Sequence, residues 1–453
     1  MRHGTTSDAA VCRGTASNKG RLMSIKHPAN SHPPTQVRSN DGWRALLSRS
    51  TTMTLAIAWL VSIGVLTVGR DLVAYPPSVA VAVGVFLIVL AAIMVAAFGV
   101  VHQAEELAHK LGEPFGTLIL TLTVVIIEVV LISAVMLGPS GSTTIARDSV
   151  FAVMMIIING VMGVSLLLGG MKHGPQRYNM EGASVYVAMI AVLSLCTLVL
   201  PNFTVSTSNG SLVPAQAIAV SVLAAALYGF FLYLQTGKSR ALFKQPSHAQ
   251  AIFGSVTTAN IPETHSDSRA TAVVGVGRGE LVRRTLLLVG TVLPIVLLSH
   301  DLGILVDAGI AATGAPVALG GVIIAIIVFT PEAITAVRAS LANEGQRTLN
   351  LGLGAFVSTV GLTIPAVLII GLVTGQEVIL GESNANMVLI AVTLATSIIT
   401  YFSPRTTALH GAVHLVLFGM FAVLLFAPSR LRSQSSEILD AIEIQLGRDL
   451  MLR

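Results

Sequence analysis

The sequence predicts an all-α polytopic membrane protein with about eleven transmembrane helices: one leading helix and two inverted-topology five-helix repeats. Three observations predict this fold. Hydrophobic residues make up 53% of the 453 residues and charged residues only 11%, less than half of the roughly 25% that is usual in soluble domains. The apolar residues fall in runs long enough to cross a bilayer. Two of these runs also resemble each other, which indicates an internal repeat.

Eleven apolar runs are about as long as the roughly 20 residues that a helix needs to cross the hydrocarbon core, or longer. They cover residues 52–70, 77–101, 115–138, 149–170, 183–200, 213–236, 283–300, 315–337, 348–374, 385–403 and 409–427. Turn-forming glycine and proline residues separate several of them. The predicted division of the chain is a leading helix at 51–76, a first repeat at 77–236 and a second repeat at 283–427.

The remaining segments are polar. Residues 1–50 are rich in Ser, Thr, Asn, Arg and Pro and predict a disordered N-terminal tail. Residues 237–282 predict a cytoplasmic linker, and residues 428–453 form a C-terminal tail. With the N-terminus inside, the inward loops hold thirteen Lys and Arg residues and the outward loops hold two. Because positive loops resist translocation, we expect a cytoplasmic N-terminus and, after eleven spans, an external C-terminus.

An internal repeat relates two of the spans. Residues 116–128 and residues 320–332 both run from a glycine to a lone mid-span glutamate, and an arginine opens the span that follows each. If helices 2–6 and 7–11 are the two units, each has five spans, and the odd number inverts the second unit. Inverted repeats are the plan of many secondary transporters, whose binding site lies at the membrane midplane between the halves.

The two mid-span glutamates, Glu128 and Glu332, are the main candidates for function. A charge at the bilayer centre costs roughly 2.5–3.5 kcal/mol on insertion scales, and two carboxylates that meet would repel each other. Both effects favour the protonated form when no cation is bound. A dication supplies the missing counter-charge, and oxygen ligands favour calcium. Protons and cation would then compete for the same oxygens, as in an exchanger. A hydrogen-bonded glutamate that only supports packing is the alternative interpretation.

Supporting ligands are expected from the helices near the two glutamates. The candidates are Asn159, Ser358 and Thr359 in the following helices and Thr335 one turn after Glu332. Each has a second interpretation, a hydrogen bond to its own helix backbone. Pro331 removes a backbone donor just before Glu332, which predicts either a broken helix or a simple kink.

Other chemistry is disfavoured. The sequence has no Walker motif, HExxH or G-x-S-x-G, so neither ATP-driven pumping nor hydrolysis has a site. We expect no cofactor and no nucleic-acid partner; the partners are small inorganic cations, protons and the lipid bilayer. His102, Glu106 and His109 share a helix face and are either a metal or pH-sensing patch or a solvated helix end. A passive cation channel is the alternative from a different functional class, and a membrane-embedded enzyme is a third.

Two segments resemble a known family. The run from Leu111 to Val129 and the run from Thr330 to Ala339 are similar to the two repeats of ChaA-type bacterial calcium/proton antiporters, in the cation/calcium exchanger superfamily. The resemblance extends from about residue 45 to 428. It implies a ten-helix inverted-repeat core plus one leading helix in the inner (plasma) membrane. It also implies exchange of cytoplasmic calcium, or of sodium or potassium, for external protons, with Glu128 and Glu332 binding cation and proton.

Overall fold

The computed structural model describes residues 48–111, 115–138, 141–207, 209–245 and 278–426. Most of the predicted N-terminal tail and linker and the C-terminal tail lie outside these ranges. Within them, eleven helices are long and apolar enough to cross a membrane, which confirms the predicted number of spans. They are α1 (Arg49–Ala74), α2 (Val79–Leu111), α3 (Phe115–Met136), α4 (Ile145–His173), α5 (Met180–Phe203), α6 (Pro214–Thr236), α7 (Arg278–Thr313), α8 (Ala318–Leu341), α9 (Gly345–Thr374), α10 (Asn384–Tyr401) and α11 (Ala408–Leu425).

Side-chain caps fix the start of several helices. Ser48 accepts a hydrogen bond from the Thr51 amide at the start of α1, and Asn179 and Ser383 cap α5 and α10 in the same way. Such caps satisfy backbone N–H groups that have no partner within the helix. For every predicted span except α7, the bounds lie within about four residues of the observed helix at one end or both, whereas α7 continues to Thr313, well beyond the predicted end at 300.

The helix that carries Glu332 is not broken. α8 continues from Ala318 to Leu341 with Pro331 inside it, so of the two alternatives at this position, a broken helix or a simple kink, the broken helix is wrong. The proline removes one backbone donor, and the turns on either side remain helical. The irregular backbone lies in the neighbouring helices instead.

Those neighbours, α4 and α9, each contain a π-helical segment at an equivalent position. The segments are Met155–Val161 in α4 and Thr359–Thr363 in α9. Their first residues are 204 apart, the same separation as Glu128 and Glu332. π-Helical segments widen a helix locally and often occur at functional sites. The two repeats therefore share a local irregularity next to each glutamate helix.

Helix packing also follows the internal repeat, because equivalent helices of the two repeats make equivalent contacts. α11 packs against α4, where a side chain added at Gly163 would lie 3.0 Å from Leu415. α6 packs against α9, where a side chain added at Gly361 would lie 2.7 Å from Tyr228. In each unit the last helix therefore lies on the third helix of the other unit. Both positions favour glycine, because an added side chain would force Tyr228 to move at Gly361 and Leu415 to shift slightly at Gly163.

The ends of the bundle differ. At one end, a two-residue antiparallel ladder joins β1 (Gln176–Arg177) to β2 (Arg405–Thr406). We call this the basic end because it carries a group of positively charged residues: Lys172, Arg177, Arg240, Lys244, Arg347 and Arg405. At the opposite end, the loop before α6 and the loop between α9 and α10 meet in an isolated β-bridge, Ser211 to Ile379.

Candidate functional site

Glu128 lies fully buried in the middle of α3. Its side chain has 0% exposure, and its Oε2 atom accepts hydrogen bonds from Thr359 Oγ1 at 3.0 Å and Thr363 Oγ1 at 2.8 Å. Both threonines belong to the π-helical segment of α9. The other carboxylate oxygen, Oε1, has no hydrogen-bond partner among the described residues. The first repeat therefore supplies a carboxylate that the second repeat holds with two hydroxyl groups.

Glu332, on α8, lies within electrostatic range of Glu128. Unlike Glu128, it lines a cavity of about 650 Å³. Its Oε2 atom is buried and has no hydrogen-bond partner among the described residues. No described lysine or arginine forms an ion pair with either glutamate. The structure thus brings the two predicted carboxylates together without a resident counter-charge.

The cavity leads from Glu332 to the basic end. Its wall includes Tyr186, Tyr228 and Gln235, and Arg240, Lys244 and Arg347 lie at its mouth. A further carboxylate, Glu105 of α2, also lines it and lies within electrostatic range of Glu332. A polar route therefore connects one glutamate with the aqueous phase at the basic end, while Glu128 lies beyond it.

Two predicted supporting residues, Thr335 and Ser358, line the same cavity as Glu332. Their hydroxyls donate to carbonyls of their own helices, Thr335 to Pro331 at 3.0 Å and Ser358 to Ala355 at 2.7 Å. Such bonds occupy the hydroxyl hydrogen and leave oxygen lone pairs free. Both residues are therefore placed beside the pair, although each also satisfies the alternative interpretation of a bond to its own backbone.

Asn159 is engaged elsewhere. Its amide nitrogen donates to Thr393 Oγ1 at 2.9 Å, and its Oδ1 atom lies 2.9 Å from His414 Nδ1. His414 is fully buried and reaches Thr400 Oγ1 through its other ring nitrogen at 3.2 Å. Asn159 thus joins α4 to α10 and α11. Its side chain hydrogen-bonds to Thr393 and His414 and forms no hydrogen bond with Glu128 or Glu332 among the described residues.

The opposite end of the bundle is sealed. The Ile379 amide donates to Thr143 O at 3.0 Å, and the Gly381 amide donates to Gly210 O at 2.9 Å. The Glu382 amide donates to Leu198 O at 2.9 Å, so the loop between α9 and α10 is tied to the first repeat at three places. These bonds pair backbone groups that would otherwise need water.

A charged cluster reinforces this seal. Arg147 Nη1 donates to Gly381 O at 2.7 Å, and Arg147 Nε lies 3.0 Å from Asp148 Oδ1 and 3.8 Å from Glu382 Oε2. The Glu382 side chain has 0% exposure. Its position in a loop gave no reason to expect burial, since loops normally lie at the surface.

Thr363 and Glu105 were not predicted as site residues. Thr363 lies four residues after Thr359, and two threonines one helical turn apart inside an apolar span face the same side of the helix. That spacing is a signal that could have identified it. Glu105 lies beside Glu106 near the end of an apolar run, and its sequence context is that of a solvated helix end.

The predicted His102, Glu106 and His109 patch is only partly described, since the His109 side chain lies outside the described residues. Glu106 pairs with Arg284, whose Nη1 lies 2.7 Å from Glu106 Oε2. Among the described residues, no group of three or more His, Cys, Asp or Glu side chains is arranged to hold a metal ion.

Comparison with known families supports this architecture. The sodium/calcium exchanger protein family matches residues 81–237. The chain is 37% identical over 334 residues to y4hA of Sinorhizobium fredii, a protein described as an ionic transporter, covering 74% of this chain and 86% of that one. It is 33% identical over 357 residues to the sodium-potassium/proton antiporter ChaA of Escherichia coli K12, covering 77% of this chain and 90% of that one.

Solved structures share the fold. Native YfkE superposes with a TM-score of 0.62 at 18% identity, covering 83% of this chain and all of that chain. The H⁺/Ca²⁺ exchanger CAX superposes with a TM-score of 0.59 at 14% identity, covering 88% of this chain and 94% of that chain.

The family match and the antiporter relative show that the chain is a secondary transporter and not an enzyme. More particularly, the chain belongs to the ChaA-type antiporter family of the cation/calcium exchanger superfamily. It is a multi-pass membrane protein that exchanges inorganic cations.

Proposed function

We propose that this protein exchanges cytoplasmic calcium for external protons by alternating access at Glu128 and Glu332, in the inner (plasma) membrane. The observation that carries the proposal is the pair itself. Two buried carboxylates lie within electrostatic range, each with an unpartnered oxygen, and no described basic residue pairs with either. Buried charges of one sign require neutralisation, by protons or by a cation.

The ligands available to a cation are all oxygens. Glu128 Oε1 and Glu332 Oε2 have no hydrogen-bond partners among the described residues, and the hydroxyls of Thr359 and Thr363 donate to the other oxygen of Glu128. Ser358 adds a further hydroxyl on the cavity wall. Calcium accepts irregular sets of six to eight oxygens, including water. A dication also neutralises both carboxylates at once, which favours calcium as the exchanged ion.

The direction of access supports an exchange cycle. The cavity joins Glu332 to the basic end, and the opposite end is closed by loop contacts. Because positive loops remain in the cytoplasm, the basic end is assigned to the cytoplasm and this conformation to the inward-open state. Cation enters from the cytoplasm and displaces protons; after the repeats exchange roles, external protons displace the cation.

A sodium or potassium/proton antiporter is the second candidate. The observation that favours it is the 33% identity to ChaA, whose name specifies sodium, potassium and protons. In that case, one carboxylate stays protonated while the other binds the monovalent cation. The binding residues are the same, and the number of protons exchanged for each cation differs.

The test is antiport in everted membrane vesicles with an imposed proton gradient. We expect the gradient to drive calcium uphill in wild type, and a passive channel cannot do this. Glu128→Gln and Glu332→Gln each abolish exchange at unchanged expression, whereas Glu181→Gln, at an exposed position at the start of α5, leaves it intact. Uphill transport of sodium or potassium without calcium establishes the second candidate. Wild-type exchange in either site variant contradicts the proposed site.

A further inference from the structure

The sealed end of the molecule contains three charged side chains, one positive and two negative, whose charges do not sum to zero. Arg147 contacts Asp148 at 3.0 Å and Glu382 at 3.8 Å. The exposed fraction is 6% for the Asp148 side chain and 0% for that of Glu382. One guanidinium therefore serves two buried carboxylates, and a cluster in which all three groups are ionised carries one excess negative charge.

Glu382 is the less well compensated of the two carboxylates, because Arg147 lies farther from it than from Asp148. Its Oε2 atom accepts a hydrogen bond from Asn386 Nδ2 at 2.8 Å and one from the Ser383 amide at 3.3 Å. Its Oε1 atom is buried and has no hydrogen-bond partner among the described residues. An unpaired, buried carboxylate oxygen is costly, and a proton on the carboxyl group removes the charge that makes it so.

The surroundings of Glu382 contain few other charges. α4 contributes Arg147 and Asp148, which are the charged groups in electrostatic range among the described residues. The end of α5 contributes Asn202, and α10 contributes Asn386, both neutral. Burial raises the pKa of Glu382 to about 8, an effect that Arg147 opposes and Asp148 reinforces.

We propose that Glu382 is a proton-binding site that holds the end of the molecule opposite the cavity closed. The same residue ties the two repeats together through its backbone. Its amide donates to Leu198 O at 2.9 Å, and its carbonyl accepts from Asn202 Nδ2 at 2.7 Å. When this end opens, water reaches the carboxyl group and the proton leaves to the compartment on that side. The inference holds whichever cation is exchanged at the central pair.

The direction of the pH dependence follows from the raised pKa. The closed end binds the proton more tightly than an open, hydrated end, where the pKa returns toward its ordinary value of 4.5. The proton on Glu382 therefore stabilises the closed end fully below pH 4.5, and this stabilisation is lost as the pH rises through about 8. The molecule would open more readily toward an alkaline compartment.

The experiment measures the distance across the sealed end. Spin labels at Val205 and Gln376, which are exposed on the two facing loops, are introduced with Cys12 and Cys196 replaced by serine. Distances are measured by double electron–electron resonance in lipid nanodiscs from about pH 5 to about pH 9. In otherwise unmodified protein, we expect a short distance at low pH and a growing longer population as the pH rises.

Three variants complete the test. Glu382→Gln keeps the short distance throughout, because its side chain is permanently neutral. Asp148→Asn moves the transition to lower pH, because it removes the negative neighbour. Glu377→Gln is the matched control: Glu377 is an exposed carboxylate of the same loop, bonded to Asn209, and should behave as the parent. A distance independent of pH in the parent, or the parent's transition retained in Glu382→Gln, overturns the proposal.

Discussion

The two ends of the molecule place equivalent arginines in opposite surroundings. Arg147 and Arg347 each open the helix that follows a glutamate helix, and they are 200 residues apart. Arg147 is 20% exposed and contacts two buried carboxylates, whereas Arg347 is 61% exposed and pairs with Glu344 on the surface at 3.0 Å. Removing one partner of a buried ion pair costs far more than removing one of an exposed pair. The repeated arginine therefore lies in a buried ion-pair cluster at the closed end and in an exposed ion pair at the open end.

Close backbone contact adds to this difference. Gly210 has φ of 77°, a conformation that favours glycine. A side chain added at Gly381 would lie 2.9 Å from Gly210 Cα. At the basic end, the corresponding space between the repeats is the cavity that reaches Glu332. An alternating-access transporter requires this asymmetry to reverse during its cycle.

Arg147→Ala should give the largest change. It leaves the buried Asp148 carboxylate without its counter-charge, at a cost to the closed end of about 3–5 kcal/mol, which corresponds to a factor of at least about 100 in the closed-to-open ratio. The measurement is labelling of a cysteine at Ser211, which is 7% exposed, by a membrane-impermeant thiol reagent after replacement of Cys12 and Cys196. We expect much faster labelling than in the parent.

Arg347→Ala is the matched control at the basic end. Its exposed pair with Glu344 contributes about 0–1 kcal/mol, so labelling at position 211 should stay within about fivefold of the parent. Equal acceleration by the two substitutions would mean that burial of the Arg147 cluster does not hold the end closed.

A smaller effect is expected from the hydroxyls that hold Glu128. Thr363→Val removes a hydrogen bond to a carboxylate, and such bonds contribute about 1.5–3 kcal/mol. The apparent cation affinity in transport assays should fall about 10-fold or more. Thr363→Ser keeps the hydroxyl and should retain most of the affinity. Equal impairment by valine and serine would indicate a packing effect.

The smallest effect is expected beside Glu332. Thr335 donates to the Pro331 carbonyl of its own helix, so Thr335→Val removes no bond to either glutamate in the described structure. Cation affinity measured in the same assay should change by less than about threefold. A loss as large as that of Thr363→Val would show that Thr335 is a direct ligand, and the two glutamates would then be supported more equally than their hydrogen bonds indicate.

Local patterns predicted much of this molecule. The eleven spans follow from hydropathy, and Glu128 and Glu332 stand out because charge is rare inside such spans. These features depend on residues that are neighbours in sequence. The shared separation of the glutamates and the π-helical segments then follows from the internal repeat.

Contacts between residues far apart in the sequence could not be predicted from these local patterns. Asn159 was predicted beside the glutamates because it lies in the helix that follows Glu128, but its hydrogen bonds are to Thr393 and His414, more than 200 residues away. Glu382 lies in a polar loop, and its burial depends on Leu198 and Asn202 of the other repeat. Such partners are set by tertiary packing, which local periodicity does not specify.

The proposed exchange depends on competition between protons and cation at Glu128 and Glu332, so binding of the cation must release protons. Calcium is added to weakly buffered, purified protein near pH 7, and the protons released are measured with a pH indicator. We expect proton release that saturates with calcium in wild type and is absent when both glutamates are replaced by glutamine. Sodium or potassium replaces calcium as the releasing ion if the second candidate function applies. Undiminished release from the doubly substituted protein would contradict the claim, because the exchanged protons would then come from another site.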